Sequence, residues 1–223
     1  MNVVACITTL NEARTIGPLV DGLKKFCRSV IVVDAGSKDG TFSEAKLHAC
    51  LGMAFPDRIS IRDAILHAWN FVNLNTADII LQIDAGGSHR VEHARHIVEL
   101  LDDSGCDIAI GSRFLPNSNY IGRFWRREAS KLFSAMMNAK TKDNISDWTS
   151  GLRAYRSWVV RWLVGRRFET TMHAWQAETL LKGRRTSSLN PPSIIEVPII
   201  YTAGRSSVSL LTLKEAWRVW RMA

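Results

Sequence analysis

The segment LQIDAGGSH, residues 81–89, joins an apolar run to an aspartate, two glycines, a serine and a histidine. The run starts at Asp78 and is almost continuous in Ile and Leu, as in strands that are buried on both faces of a parallel sheet. A strand that ends in an aspartate followed by small residues is typical of a metal or phosphate site. Metal sites usually have a second carboxylate close by, and Gly86 stands where one would be expected.

Three other apolar runs repeat this pattern. They are VVACITTL (3–10), VIVVDAG (30–36) and DIAIGSRF (107–114). Helix-like segments separate the four runs, at about residues 12–27, 41–50, 60–74 and 91–104. This alternation predicts an α/β fold with a Rossmann-like, mostly parallel central sheet flanked by helices, which binds ligands at the carboxyl ends of its strands.

Each predicted strand also ends in polar groups. Because the carboxyl ends of parallel strands meet at one edge of a sheet, we expect these groups to form one composite pocket. The groups are Thr8, Thr9, Asn11 and Glu12 after the first strand, Asp34 and Ser37 after the second, Asp84 after the third, and Ser112 and Arg113 after the fourth.

The second half of the chain is more helical and more aromatic. The pattern predicts a basic amphipathic helix at 123–139, a loop, short strand and helix at 147–160, a helix at 171–182 and a strand at 193–200. Pro198 indicates that the last strand lies at a sheet edge or bends. Without a repeat or a linker, we expect one domain over 1–208, with a first half at 1–114 and a more helical second half at 115–208.

The final segment, SLLTLKEAWRVWRMA (209–223), is predicted to be an amphipathic helix. Its Trp and Arg residues suit a membrane interface. The same pattern also suits a helix that docks onto the protein's own core, so the sequence leaves both arrangements open.

The composition is that of a soluble globular protein of 223 residues with a net charge of +8. The charge favours polyanionic partners, which are nucleic acid, an anionic membrane surface or phosphorylated small molecules. No nucleic-acid recognition motif is present, so we expect no nucleic-acid partner. Unpaired cysteine spacing, no signal peptide and no transmembrane run indicate a cytoplasmic protein, free or peripheral on the cytoplasmic face of the membrane.

Several segments together resemble one family. In chain order they are TTLNEARTI, VIVVDAGSKDGT, LQIDAGGSH, DIAIGSRF, DWTSGLRAY, WQAE, IIEVPI and GRSS. Their order and spacing resemble glycosyltransferase family two, and within it the polyprenyl-phosphate sugar synthases of the dolichyl-phosphate mannosyltransferase type. The resemblance, which extends to about residue 210, implies the glycosyltransferase A fold. It also implies transfer of a mannosyl or glucosyl group, with inversion, from a nucleotide diphosphate-sugar to a polyprenyl phosphate.

The resemblance also implies a set of donor-binding residues. They are Thr8, Leu10, Glu12, Asp34, Ala35, Ser37, Asp84, Ala85, Gly86 and Arg205. Ala35 replaces the second carboxylate of the family's Asp-Asp pair. Asp84 and His89 keep the ends of the family's metal motif, whereas Gly86 and Ser88 replace its second Asp and its Gln. Either Asp84, with His89, holds Mg²⁺ or Mn²⁺ weakly beside the diphosphate, or arginines neutralise the diphosphate.

On the acceptor side, the resemblance implies five binding residues. They are Arg113, Arg126, Ser130, Gln176 and Glu178. Arg126 and Ser130 are four residues apart, which places both on one face of a helix. Asp147 corresponds to the family's acidic residue at the reacting centre, so Asp147, Asp84 and Arg113 are the expected catalytic residues. A general base at Asp147 would serve a hydroxyl acceptor, whereas a phosphate acceptor is already ionised.

Two other functions remain open from the sequence. One keeps the chemistry but transfers the sugar to a protein or saccharide hydroxyl. The other is a nucleotide-sugar-binding module with weak catalysis, which the residues at Ala35 and Gly86 would suit. The retained acceptor residues favour an enzyme, and the sequence leaves the oligomeric state undetermined.

Overall fold

The computed structural model describes residues 1–184, 191–204 and 210–223. Its strands are β1 (Val3–Thr9), β2 (Ser29–Asp34), β3 (Leu51–Ala54), β4 (Ile79–Asp84), β5 (Ile108–Ser112), β6 (Asn119–Ile121), β7 (Arg153–Arg156), β8 (Ile194–Pro198) and β9 (Ile200–Thr202). Its helices are α1 (Ala13–Lys24), α2 (Thr41–Leu47), α3 (Ile61–Phe71), α4 (Val91–Ser104), α5 (Phe124–Thr141), α6 (Ser157–Val164), α7 (Trp175–Gly183) and α8 (Leu210–Met222).

Seven strands form the central sheet in the order β3-β2-β1-β4-β7-β5-β8, and β6 pairs with β9 beside it. All pairs in the central sheet are parallel except those of β7, which runs antiparallel between β4 and β5. The predicted mostly parallel α/β sheet is therefore confirmed. Strand β8, whose last residue is Pro198, is an edge strand of the central sheet and pairs only with β5 among the described strands. Pro198 therefore lies at an edge, as its missing N–H requires.

A hydrophobic core covers each face of the sheet. Helices α1 and α4 bury residues such as Ile16 and Ile97 on one face. On the other face, helices α3, α6 and α7 enclose an aromatic cluster in which Trp69 lies 5.4 Å from Trp175 and 5.6 Å from Tyr155. Large buried aromatic side chains contribute much of the apolar area of such a core.

Helix α8 docks onto the domain. Its buried Glu215 accepts hydrogen bonds from the Thr171 N–H (2.8 Å), the Thr171 hydroxyl (2.7 Å) and the Met172 N–H (2.9 Å). At its C-terminal end, Lys140 Nζ donates to the Trp220 carbonyl at 2.7 Å. Helix α7 begins at Trp175 and not at residue 171 as predicted. Among the described residues, no helix has the length and apolar character needed to cross a bilayer.

Candidate active site

The carboxyl edge of the sheet collects the predicted polar groups. In the parallel register, Thr8 of β1 lies opposite Asp84 of β4, and Thr9 lies opposite Asp34 of β2. The Thr8 hydroxyl is hydrogen-bonded to the Asp84 carboxylate. The carboxyl ends of β1, β2 and β4 therefore lie side by side, as predicted from the sequence.

The turn after β2 is built around Asp34. Its buried carboxylate accepts a hydrogen bond from the Ser37 N–H at 2.9 Å, and the Ser37 hydroxyl accepts one from the Asn11 N–H at 2.8 Å. Ala35 is buried and donates its N–H to the Thr9 carbonyl, while Leu10 packs against the core. Asp34 thus ties the turn to the start of α1, and the donor-binding roles of these residues remain predictions.

Asp84 projects from the end of β4 into a crowded space. A Cβ atom on Gly151 would lie 2.5 Å from Asp84 Oδ2, so only glycine leaves room for the carboxylate. No ion pair to Asp84 forms among the described residues. Burial raises the pKa of Asp84, although the charges of His173 and Arg113 and the Thr8 hydrogen bond partly oppose this. This carboxylate is short of positive charge.

Asp147 is instead fully paired. It is buried and makes a two-pronged ion pair with Arg113, with Nε to Oδ2 and Nη2 to Oδ1 both at 2.7 Å. It also accepts the N–H groups of Arg113 and Thr149, each at 3.1 Å. Burial would raise the pKa of Asp147, but the Arg113 charge and these hydrogen bonds lower it below its usual value. Bidentate pairing of this kind fixes the guanidinium in one orientation.

Two residues outside the sequence prediction support the site. Glu196 of β8 accepts hydrogen bonds from the Ser146 N–H (2.7 Å), the Ser146 hydroxyl (2.7 Å) and the Asp147 N–H (3.0 Å). It therefore holds the backbone that carries Asp147. His173, just before α7, is close enough to Asp84 and Arg113 to interact with both charges, and burial lowers its pKa. His173 matches no motif in the sequence, and Glu196 lies inside a predicted strand.

The described residues offer only a partial fit to a divalent metal. They contain no group of three His, Cys, Asp or Glu side chains able to hold one. Asp84 supplies one carboxylate, and the Glu12 carboxylate lies 3.0 Å from where a Gly86 Cβ would be. His89 is buried with its ring 5.2 Å from that of Tyr201, and burial lowers its pKa to about 3. A cation here would depend on oxygens from the donor diphosphate, since Mg²⁺ commonly uses one or two carboxylates plus phosphate.

A cavity of about 270 Å³ lies beside the N-terminus of α5, lined by Gly122, Arg123, Arg126, Ala203 and Gly204. Arg126 donates weakly to the Gly204 carbonyl at 3.5 Å, and its buried Nε has no partner in the described part of the chain. Ser130 follows one turn later on the same helix. Arg205, the remaining predicted donor-binding residue, lies outside the described residues.

Three further polar side chains are engaged in the interior. Gln176 accepts a hydrogen bond from Gln82 Nε2 at 3.1 Å. Glu178 is fully buried and accepts the N–H groups of Glu169 and Thr170. Arg153 donates to the carbonyls of Gln176 and Trp148, so it braces the loop before β7. These contacts account for the burial of Gln176 and Glu178, whose acceptor roles stay predictions.

Comparison with known proteins extends these observations. Residues 4–161 match the model of glycosyl transferase family 2. The chain is 28% identical to polyprenol monophosphomannose synthase of Mycolicibacterium smegmatis, a match that covers 92% of this chain and 79% of that protein. It is 26% identical to undecaprenyl-phosphate mannosyltransferase of Micrococcus luteus, covering 90% and 84% of the two chains.

The fold matches a solved glycosyltransferase. The crystal structure of glucosyl-3-phosphoglycerate synthase from Mycobacterium tuberculosis in complex with UDP superposes with a TM-score of 0.71 at 17% identity, over 99% of this chain and 80% of that one. The same protein was also solved with Mn²⁺, UDP and phosphoglyceric acid. The predicted glycosyltransferase A fold is confirmed, and the chain belongs to glycosyl transferase family 2.

Proposed function

We propose that this glycosyltransferase moves a sugar from a nucleotide diphosphate-sugar to a polyprenyl phosphate, with inversion at the anomeric carbon. The observation that carries the proposal is the arrangement of charge at one sheet edge. An under-neutralised carboxylate, Asp84, lies near a fixed guanidinium, Arg113, and a separate cavity is lined by Arg123 and Arg126. The names of the two mannosyltransferase relatives agree with this assignment.

The donor half, residues 1–114, would bind the nucleotide at the ends of β1, β2 and β4. Asp34 and Ser37 would shape the base and ribose subsite, with Leu10 and Ala35 against it. Asp84 and His89 would share Mg²⁺ or Mn²⁺ with the diphosphate. When bound, such a cation stabilises the negative charge of the leaving diphosphate. The M. tuberculosis neighbour, solved with Mn²⁺ and UDP, supports this part of the proposal.

The acceptor half, residues 115–208, would receive the phosphate of the lipid. Arg126 and Arg123 line a cavity of suitable charge, and guanidinium groups bind phosphate through paired hydrogen bonds. Arg113 would orient the attacking phosphate oxygen, with Ser130 as a further donor. The acceptor oxygen forms the new bond to the anomeric carbon, the bond from that carbon to the diphosphate oxygen breaks, and the nucleoside diphosphate leaves with the bonding electrons.

This reaction needs no general base, because a phosphate monoester is largely ionised at neutral pH. The environment of Asp147 agrees with that requirement. Its two oxygens already accept bonds from Arg113 and Thr149, and its lowered pKa makes it a poor proton acceptor. We infer that Asp147 positions Arg113. A protein or saccharide hydroxyl acceptor would instead need a free base at this position.

A transfer assay tests the proposal. The purified chain is incubated with UDP- or GDP-linked hexoses and a short-chain polyprenyl phosphate, with Mn²⁺ or with EDTA, and the organic extract is analysed by mass spectrometry. We expect one hexosyl phosphate lipid, formed faster with Mn²⁺. A product found only on protein or saccharide would favour the hydroxyl acceptor. Nucleotide binding without any product would favour the binding module.

A further inference from the structure

Arg113 carries a guanidinium of which one edge is already engaged. Its Nε and Nη2 donate to the two oxygens of Asp147, each at 2.7 Å, and Nη2 also donates to the Thr149 hydroxyl at 2.6 Å. In the described part of the chain, no residue accepts a hydrogen bond from Nη1, the remaining nitrogen. The side chain is only 10% exposed. Nη1 is therefore the group left for a ligand, and its direction determines what Arg113 can bind.

Two aromatic rings contact this guanidinium. The Arg113 Cζ atom lies 5.0 Å from the centroid of the Phe114 ring and 5.1 Å from that of the Tyr201 ring. Both distances are within the range of a cation–π contact. Phe114 is the next residue along the chain, so its ring moves with Arg113. Tyr201 belongs to β9, so its ring ties the guanidinium to a different strand.

The Tyr201 ring is itself fixed by the two-stranded sheet. Tyr120 of β6 lies opposite Tyr201 of β9 in the register of this sheet. The two rings stack, with 5.4 Å between their centroids and 29° between their planes. Just beyond the pair, the Ala203 N–H donates to the Ile121 carbonyl at 2.8 Å. The ring of Tyr201 is therefore held by both its strand and its neighbour.

Tyr201 also reaches the loop after β4. Its ring centroid lies 5.2 Å from that of His89. The N–H of the next residue, Thr202, donates to the Ser88 carbonyl at 3.2 Å. Ser88 and His89 belong to the loop that begins at Asp84. Tyr201 therefore contacts both the loop that carries Asp84 and the guanidinium that is paired in the second loop.

We propose that Tyr201 is a positioning residue for sugar transfer. Its ring holds the Arg113 guanidinium in the orientation set by Asp147 and keeps it at a fixed distance from the loop that carries Asp84. This inference rests on the proposed function, because it assigns the arrangement to the step in which an acceptor oxygen meets the donor. Tyr201 acts through Arg113 and is not assigned a contact with substrate.

Transfer kinetics test the proposal. The face of an aromatic ring attracts a cation, so Tyr201→Phe keeps the contact and Tyr201→Leu removes it. We expect Tyr201→Leu to lower kcat by about 10 to 100-fold with the donor KM unchanged, since small misplacements at a reacting centre have effects of this size. Tyr201→Phe should keep the wild-type kcat. Trp162→Leu is the matched control, because the Trp162 ring lies 4.1 Å from the Arg166 guanidinium on and beside α6, outside the candidate site.

A second measurement needs no sugar transfer. Solvent exchange of the Arg113 Nε–H, which donates to Asp147, is followed by NMR of arginine side chains, and its signal is assigned by its loss in Arg113→Lys. Exchange should be slow in the wild type and in Tyr201→Phe, and about tenfold faster in Tyr201→Leu. Thermal unfolding shows whether each variant is folded. If Tyr201→Leu does not fold, Tyr120→Leu removes the stacked ring and should give the same pattern with a smaller loss.

The outcomes separate the positioning role from the proposed function. Unchanged kcat in the folded leucine variants would overturn the positioning role. Equal losses in Tyr201→Phe and Tyr201→Leu would also overturn it, because they would assign the effect to the hydroxyl. So would an equal loss of kcat in Trp162→Leu, which would reduce the effect to a general loss of stability. The expected exchange pattern in a chain that transfers no sugar would support the contact and reject the proposed function.

Discussion

Two loops at the carboxyl edge of the sheet each carry a carboxylate, half-buried at Asp84 and fully buried at Asp147, and the two carboxylates have opposite surroundings. In the loop after β4, residues 84–89, Asp84 has no ion pair among the described residues, and burial raises its pKa. In the loop before β7, residues 143–152, Asp147 has a bidentate arginine, and its pKa is lowered. A half-buried charge without an ion-pair partner favours a ligand that supplies one, whereas a paired charge favours rigidity. The comparison therefore assigns ligand binding to the first loop and positioning to the second.

The largest effect is expected from breaking the pair in the second loop. Asp147→Asn leaves the Arg113 charge poorly compensated, so we expect stability to fall by about 3 kcal/mol. The sugar transfer rate should fall by about 10³, while nucleotide affinity is retained. Asp143→Asn, in the same loop but paired with Arg184, is the control and should keep its transfer rate. Equal losses in the two variants would remove the special role of Asp147.

A smaller loss is expected when the support of that loop is removed. Glu196→Ala deletes the acceptor of three hydrogen bonds from Ser146 and Asp147. Loss of a residue that supports a site residue typically lowers activity by about 10 to 100-fold, so we expect kcat to fall by that factor. The KM for the donor should not change, and Glu196→Gln, which keeps one carbonyl acceptor, should recover part of the rate. A raised donor KM with normal kcat would contradict the positioning role.

In the first loop, crowding should perturb Asp84 directly. The new methyl group in Gly151→Ala would lie 2.5 Å from Asp84 Oδ2 and must displace it. We expect nucleoside diphosphate affinity measured with Mn²⁺ to fall about tenfold, because the carboxylate shifts by a few tenths of an ångström or more. Gly165→Ala is the matched control, since its methyl group would meet no atom closer than 4.0 Å. Similar affinities in the two variants would mean that Asp84 does not contact the ligand.

The last effect concerns stability in acid. His89 faces Arg113, Asp147 and His93, and its pKa is lowered to about 3. Because this pKa lies below the ordinary histidine value, the folded protein holds His89 neutral. The contribution of neutral His89 to the free energy of unfolding is therefore complete above pH 6.5 and is lost as the pH falls below 6.5. From pH 6.5 to pH 5 the loss should be about 2 kcal/mol. His89→Gln should flatten the pH dependence of the free energy of unfolding by this amount, whereas the exposed His96→Gln should not. An unchanged slope in His89→Gln would contradict the buried, neutral state.

Much of the first half of this structure could be predicted from sequence. Four of its strands are rich in Val, Ile and Leu, a composition typical of strands that are buried on both faces. These strands are β1, β2, β4 and β5. A short strand was predicted within 147–160, but not the position or the antiparallel direction of β7 in the sheet. Its Arg153 is buried only because the Trp148 and Gln176 carbonyls receive the guanidinium, and such partners are visible only in the fold.

The candidate site divides in the same way. Asp84, Asp147 and Arg113 were identified from motifs, but not the pairing of two of them. That pairing joins Arg113, which directly follows β5, to Asp147 in the loop before β7. The two residues come together because β7 pairs antiparallel with β5, and this pairing was not predicted. Glu196 was hidden inside a strand pattern, because the partners of a polar residue in an edge strand depend on the strand's register.

The most direct test of the contrast between the two loops is a calorimetric titration of UDP and of GDP into the wild type, Asp84→Asn and Asp147→Asn, each with Mn²⁺ and with EDTA. The account predicts that one nucleotide binds the wild type more tightly with Mn²⁺, that Asp84→Asn loses this gain, and that Asp147→Asn keeps it. Retention of the gain in Asp84→Asn together with its loss in Asp147→Asn would reverse the assignment. Absence of binding by either nucleotide to the wild type would contradict the donor site itself.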